Sequence, residues 1–358
     1  MGPTLTAGKS EVTGVDTVGD VVSSVADRAR DLDAGRTDTR VDIAAAGRAG
    51  LLDRGVGAHD DHSASVASMV EVIERVSAAS LSVGFSLWAQ RMVIEYVARA
   101  PERLRQQHLR SLVSGDRIGV TAMAAGLKQV AGLGEVPITG HVGPDGLVIN
   151  GPIRWASNVY DESLIVLPVR TGDTTLVVVV DANAPGVEIR TAPELIGLGS
   201  TASTSLALHD VVVGEENVIS DDLTSFVRRI RPVFLLLQCS FCSGAIGSAL
   251  DGAAGSLTGV NEVFRAEFDH RTADFVDIRQ RLGDYAVDPS APSPAELIRL
   301  RLDAAQTAAA SSRLEATVRG GAGYATGSDT NRRFRETAFI PIQSPSEGQL
   351  RWELAQFE

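Results

Sequence analysis

Only a few stretches of this 358-residue sequence carry side chains whose type and spacing suit chemistry. Asn150-Gly-Pro-Ile-Arg-Trp-Ala-Ser-Asn158 sets the indole of Trp155 two residues from the hydroxyl of Ser157. The indole suits stacking and the hydroxyl suits hydrogen bonding to a polar ring edge. The same pair also reads as a sheet-edge aromatic followed by a turn. Arg265 and Phe268, spaced Arg-x-x-Phe, offer either a guanidinium fork for phosphate oxygens or a surface arginine paired with Glu262. Gly320-Gly-Ala-Gly-Tyr324 lets backbone approach a ligand with no Cβ between, and the same geometry makes a helix C-cap. Arg228-Arg-Ile-Arg231 reads as an anion site or as a solvated helix start. Cys239-Ser-Phe-Cys242 lies in an apolar helical run without a second pair, so buried thiols are expected rather than zinc or a redox pair. The six histidines are scattered. His59, His62, His108 and His270 read as surface or capping residues, His141 as part of a β turn, His209 as a strand residue, and no metal site is expected.

Three zones of different period must position these groups. Residues 18–115 read as helices. Apolar residues recur every three or four positions over 66–83, with Asp61, His62 and Ser63 ahead of them as caps. Pro101 and Glu102 open a helix that runs to about Val113. Residues 116–215 change to short β-rich runs at 146–150, 163–168 and 174–180, with turn residues at 143–146, 171–173 and 183–186. That pattern predicts an antiparallel β module and not a βαβ sheet. Residues 216–358 return to helix over 232–263, 275–286 and 294–319, with a break at 287–294. Residues 1–17 are expected to be a flexible N-terminus.

Composition narrows the classes. Acidic residues number 45 against 33 basic ones, a net charge of −12, so the chain gains no counterion release from nucleic acid. Two cysteines build no disulfide framework. The first twenty residues lack a signal peptide's basic start and apolar core, and the strongest apolar run, 230–242, is shorter than a membrane span. A cytoplasmic protein that binds neither nucleic acid nor membrane is expected. Only Lys9 and Lys128 are lysines, a skew toward Arg that reads as genomic base composition.

The α-β-α order and a set of ordered motifs resemble the acyl-CoA dehydrogenase superfamily over roughly residues 18–355. The motifs are Gly119-Val-Thr-Ala-Met-Ala-Ala-Gly126, the Trp155 segment, Gly197-Leu-Gly-Ser200, 206–213, 320–324 and Arg332-Arg-Phe-Arg-Glu336. The resemblance implies an α+β fold with an N-terminal helical domain, a central antiparallel β-barrel-like domain and a C-terminal four-helix bundle. It implies FAD, with FMN or reduced flavin as a co-substrate the alternative, bound partly against a neighbouring subunit of a homodimer or homotetramer. Trp155 and Ser157 would flank the flavin ring, and the main chain at Thr121 and Met123 would line its pyrimidine end. Arg265, with Phe268, would meet the pyrophosphate, and Gly320 and Gly321 would admit the cofactor. Arg335 falls where the family has an arginine.

The departures bear on the reaction. Ser344 stands where the family's catalytic Glu is expected, beside Gln343, and neither can act as a carboxylate base. Glu347 reaches that place only by a local shift. Leu236 and Leu237 occupy the alternative base position. The Gly-Ser-Asp segment that holds CoA is replaced by Leu127-Lys-Gln129, and Thr317 replaces a cofactor-contacting Gln. Arg231 is matched to an arginine near the CoA site. Trp88, with Phe85, and Asn158 are assigned to the substrate pocket. Three functions follow from the resemblance. The first is a flavin oxidoreductase acting on an acyl-CoA or related small molecule, with an electron-transfer partner. The second is a two-component monooxygenase on the same fold, supplied by a flavin reductase. The third is a non-catalytic member that has lost flavin.

Overall fold

The computed structural model describes residues 17–56 and 65–357. The expected caps Asp61, His62 and Ser63, together with His59 and nearly all of the expected flexible N-terminus, lie outside the described residues.

Five helices come first: α1 (Thr17–Asp33), α2 (Arg40–Arg48), α3 (Ala67–Ala79), α4 (Leu81–Ala98) and α5 (Glu102–Val113). The apolar period over 66–83 predicts one helix, and the chain makes two. Ser80 is extended (φ −154, ψ 116) and its hydroxyl accepts from the Val83 amide, which caps α4. Helix α4 is buried on nearly every side, so its polar residues Gln90, Arg91 and Glu95 all need partners inside the fold.

The central zone holds β1 (Gly119–Thr121), α6 (Ala124–Val130), β2 (Thr139–Gly143), β3 (Gly146–Ala156), β4 (Leu164–Thr171), β5 (Thr174–Asp181), β6 (Val187–Ile189), β7 (Thr204–Val213) and β8 (Val218–Ser220). These form one sheet ordered β6-β7-β3-β2-β4-β5-β8, with β1 on β4. Five of the seven described strand pairings are antiparallel, as expected, while β1 runs parallel to β4 and β2 meets β4 in parallel at Thr139 and Arg170. Turn residues report the hairpins β2–β3 and β4–β5. A parallel partner reached through a long crossover leaves no turn signal. Among the described residues the strands form an open path rather than a closed barrel. His141 lies on β2 and not in a turn, and β8 carries the sheet past the expected boundary at residue 215.

The C-terminal zone holds α7 (Leu223–Ala254), a 3₁₀ turn (Gly259–Phe264), α8 (Arg265–Val287), α9 (Pro294–Tyr324), α10 (Asp329–Thr337) and α11 (Glu347–Leu354). Helix α7 packs on α8, α9 and α3, and the two short helices α10 and α11 pack on α9. The α3–α7 approach is close enough that a Cβ on Gly244 would lie 2.2 Å from the Glu74 carbonyl oxygen. By length and composition α7 could cross a bilayer, which the apolar run 230–242 alone could not. Its most apolar window is nevertheless 89% buried inside the fold, as a core helix would be. A capping box joins Ser293 and Glu296 at the start of α9, where the expected break ends.

Candidate functional site

Near the end of α9 the backbone leaves helical geometry at Gly320 (φ 57, ψ −143), a conformation essentially restricted to glycine. A Cβ on Gly320 or Gly321 would meet nothing within 4 Å. The two glycines line an open cavity of about 690 Å³ together with Thr317, Tyr324, Phe334 and Arg335. The Arg335 guanidinium is already engaged. It donates to both carboxylate oxygens of Asp33 on α1 (2.8 and 2.5 Å), to Asn331 (2.7 Å) and to the Ile196 carbonyl (3.0 Å). Its side chain therefore ties the C-terminal zone to the first helix.

The other residues matched to a flavin site do not line this cavity within one chain. Trp155 is 60% exposed near the end of β3. The Ser157 hydroxyl pairs with that of Ser203 (2.6 Å), which also meets the Thr201 hydroxyl (2.7 Å). The Thr121 hydroxyl meets Tyr96 (3.1 Å), and Met123 is buried. Arg265 is the first residue of α8 and not the last of a long helix as the sequence pattern suggests. It is exposed, donates to the Leu257 carbonyl (3.3 Å) and sits 5.8 Å from the Phe268 ring centre. The expected alternative pairing with Glu262 is not made, and among the described residues Arg265 has no carboxylate partner. Asn261 docks the preceding turn on α9 by donating to the Ser256 and Val318 carbonyls, both at 2.9 Å.

Asn158, expected at the substrate pocket, is engaged within the fold through its side-chain amide nitrogen. It is fully buried, with φ 63, and its side-chain amide donates to the Ser86 (3.0 Å) and Gly119 (3.4 Å) carbonyls. It joins the end of β3 to the start of β1. Trp88, expected with Phe85 at the substrate pocket, lies in a cluster of aromatic rings. It is buried, stacked on Phe85 at 5.4 Å and packed edge-on against Phe234 (5.0 Å) and Phe241 (6.1 Å). Arg231 is neither a solvated helix start nor a free anion site, because it lies inside α7 and is paired with Glu353 of α11.

At the expected base position the Ser344 hydroxyl is buried without a partner, and its carbonyl accepts from Gln238 and Gln343, both at 2.9 Å. Gln343 in turn accepts from Arg301 (3.0 Å). Leu236 and Leu237 are core residues. Glu347 opens α11, where it accepts from Arg351 (2.9 and 2.7 Å) and Gln306 (3.1 Å). The hydrogen bond from Arg351 holds its carboxyl below the usual carboxylate range.

His108 is buried rather than exposed. Burial and the neighbouring Arg117 depress its pKa. Cys239 and Cys242 are free and buried, and burial raises both thiols. Among the described residues no group of three His, Cys, Asp or Glu could hold a metal. The sequence reading passed over Arg301. It falls on the same face of α9 as Leu297, Ala304 and Ala308, so a charged residue inside an apolar helical stripe was the available signal.

No protein-family model matches the sequence. Among solved structures the chain is similar to butyryl-CoA dehydrogenase from Megasphaera elsdenii, with 15% identity, a TM-score of 0.83 and coverage of 100% of this chain and 99% of that one. It is similar to glutaryl-coenzyme A dehydrogenase in its glutaryl-CoA complex, with 15% identity, a TM-score of 0.82 and coverage of 99% and 96%. It is also similar to FkbI, described for biosynthesis of a methoxymalonyl extender unit, with 22% identity, a TM-score of 0.80 and coverage of 96% and 99%. The chain has the acyl-CoA dehydrogenase fold.

Proposed function

We propose that the chain is an FAD-dependent oxidoreductase whose reaction does not start with proton abstraction by a carboxylate at position 344. The Gly320–Gly321 notch carries the cofactor reading, because it pairs a glycine-only backbone with open space on its outer side. The exposed Trp155 face and the exposed, carboxylate-free Arg265 fit a planar ring and a pyrophosphate. Ser157 and the main chain at Thr121 and Met123 would complete the ring contacts, and Phe268 would support Arg265. PigA, a chain of the same fold at 14% identity, is described with FAD and proline. Bound here, FAD supplies hydride or electron transfer. Because these residues do not share one cavity within a chain, a homodimer or homotetramer completes the site in this reading. Electrons would pass to or from a partner protein.

The oxidised small molecule is an acyl-CoA or a related compound. A flavin-dependent monooxygenase is the second reading. It is favoured by the lack of a free carboxylate among Gln343, Ser344 and the ion-paired Glu347. Absorbance and fluorescence titration with FAD, FMN and their reduced forms tests the cofactor. Anaerobic bleaching of bound flavin by acyl-CoAs of graded length supports the first reading. A long-lived absorbance transient when reduced flavin meets O₂, without acyl-CoA bleaching, supports the second. No binding of flavin in either redox state sinks both and leaves a non-catalytic member of the fold.

A further inference from the structure

Three arginines are buried in the described fold, at Arg91, Arg301 and Arg332. Arg91 pairs with Glu95 at 2.8 Å and Arg332 with Glu336 at 3.1 Å. Arg301 is fully buried and has no carboxylate partner among the described residues. Its Nε donates to Gln238 Oε1 (2.9 Å) and its Nη2 to Gln343 Oε1 (3.0 Å) and the Ile340 carbonyl (3.5 Å). Its Nη1 has no partner at all.

The two glutamine amides close a ring. Their oxygens accept from Arg301, and their nitrogens donate to the Ser344 carbonyl. The Ser344 hydroxyl is the second buried polar atom in this ring without a partner. A buried, unpaired cation is costly, and neutral amides orient it without cancelling its charge. One ring of hydrogen bonds thus contains both a buried cation and a buried hydroxyl that lack partners, and none of its members is a carboxylate.

The surroundings narrow what would supply a matching negative charge. The Arg301 guanidinium carbon lies 5.8 Å from the Phe241 ring centre. Phe241 packs against Phe85 and Trp88, both at 6.1 Å, and Phe85 against Phe339 at 4.8 Å. An aromatic wall therefore runs up to the cation. Ser344 itself is half-buried, so its ring lies close beneath the surface. A cation whose two Nη1 N–H groups are free, with a hydroxyl in the same ring of residues, suits a planar monoanion with two acceptor oxygens on an apolar body.

We propose that Arg301 and Ser344, held by Gln238 and Gln343, form a carboxylate-binding site. The carboxylate comes either from a free small acid or from the far end of a thioester-borne acyl group. Capture at Arg301 stands whether or not the chain holds flavin, and the two are read by different signals.

Calorimetric titration of the full chain with propionate, propionamide and chloride, and with succinyl-CoA against butyryl-CoA, tests this. The acid or the carboxylated thioester binds while the amide and the methyl-ended thioester bind at least about tenfold more weakly, about 1.4 kcal/mol. Preference for propionate identifies a free acid, and binding of succinyl-CoA alone identifies a carried one. In Arg301→Met the preference disappears. In Ser344→Ala, which keeps the cation, it weakens severalfold while the far-UV spectrum stays unchanged. Equal binding of acid and amide, equal protection by chloride, an unaltered preference in Arg301→Met, or no binding by either carboxylate overturns the site.

Discussion

The two flanks of the proposed site are built on opposite principles. On the outer flank, Gly320, Trp155 and Arg265 are open, and Trp155 and Arg265 present faces that no described residue fills. On the inner flank, Arg301, Gln238, Gln343 and Ser344 are closed over one another, and every partner is neutral. Elsewhere the core answers each buried arginine with a carboxylate. The contrast teaches that the features suited to a cofactor are features of shape, whereas the segment around Ser344 is organised about a buried cation held by neutral amides.

The largest expected effect separates the buried arginines by stability. Arg332→Met strands Glu336, left with only the Ser82 hydroxyl (2.9 Å) and amide, and costs about 3–5 kcal/mol. Arg301→Met strands two neutral amide oxygens, about 1–3 kcal/mol each, but also removes a buried charge that has no carboxylate, so its net loss is smaller than that of Arg332→Met. Denaturant midpoints of the two variants check this. Equal losses would erase the distinction between the flanks.

The outer flank is broken most strongly at Gly320. In Gly320→Val the new side chain has room, so any loss is backbone strain at φ 57, ψ −143, about 1–3 kcal/mol. If the notch holds FAD, that strain displaces it and flavin affinity falls about 100-fold, while Arg301-dependent carboxylate binding survives. A smaller effect follows at Trp155, where Ala removes a stacking face and weakens flavin binding about tenfold, near the ~0.5–1.5 kcal/mol of an aromatic pair. Fluorescence titration reads both. Loss of carboxylate binding in either variant would mean the flanks are not independent.

The order of elements was legible because period and turn chemistry are local. The zones at 18–115 and from 216 onward, the hairpins β2–β3 and β4–β5, and the break before α9 all show in single stretches of sequence. What was not legible depends on distant partners. Ser80 splits a continuous apolar pattern because its hydroxyl can cap the next helix. The parallel pairing of β1 with β4 joins strands that lack a shared turn. For the site, residue type suggested contacts that tertiary structure reassigns: Asn158 bonds Ser86 and Gly119, Arg231 bonds Glu353, and Trp88 joins an aromatic core. Arg301 was visible as a charge in an apolar stripe, but its lack of a carboxylate is a fact about three other helices and the segment before α11.

The smallest expected effect is also the sharpest test of the inner flank. Glu347 is the remaining acid near the expected base position, and it is tied to Arg351 and Gln306. Its folded pKa lies below the ordinary value because Arg351 donates to the charged form. Its contribution to stability is therefore present above the ordinary carboxylate pKa and lost as pH falls through the lower folded value. Glu347→Gln should lie slightly below the wild type in melting temperature at neutral pH and converge with it in acid. Its rate of flavin reduction by any substrate should be unchanged. A rate that instead fell by orders of magnitude, with flavin affinity intact, would return a carboxylate base to the inner flank.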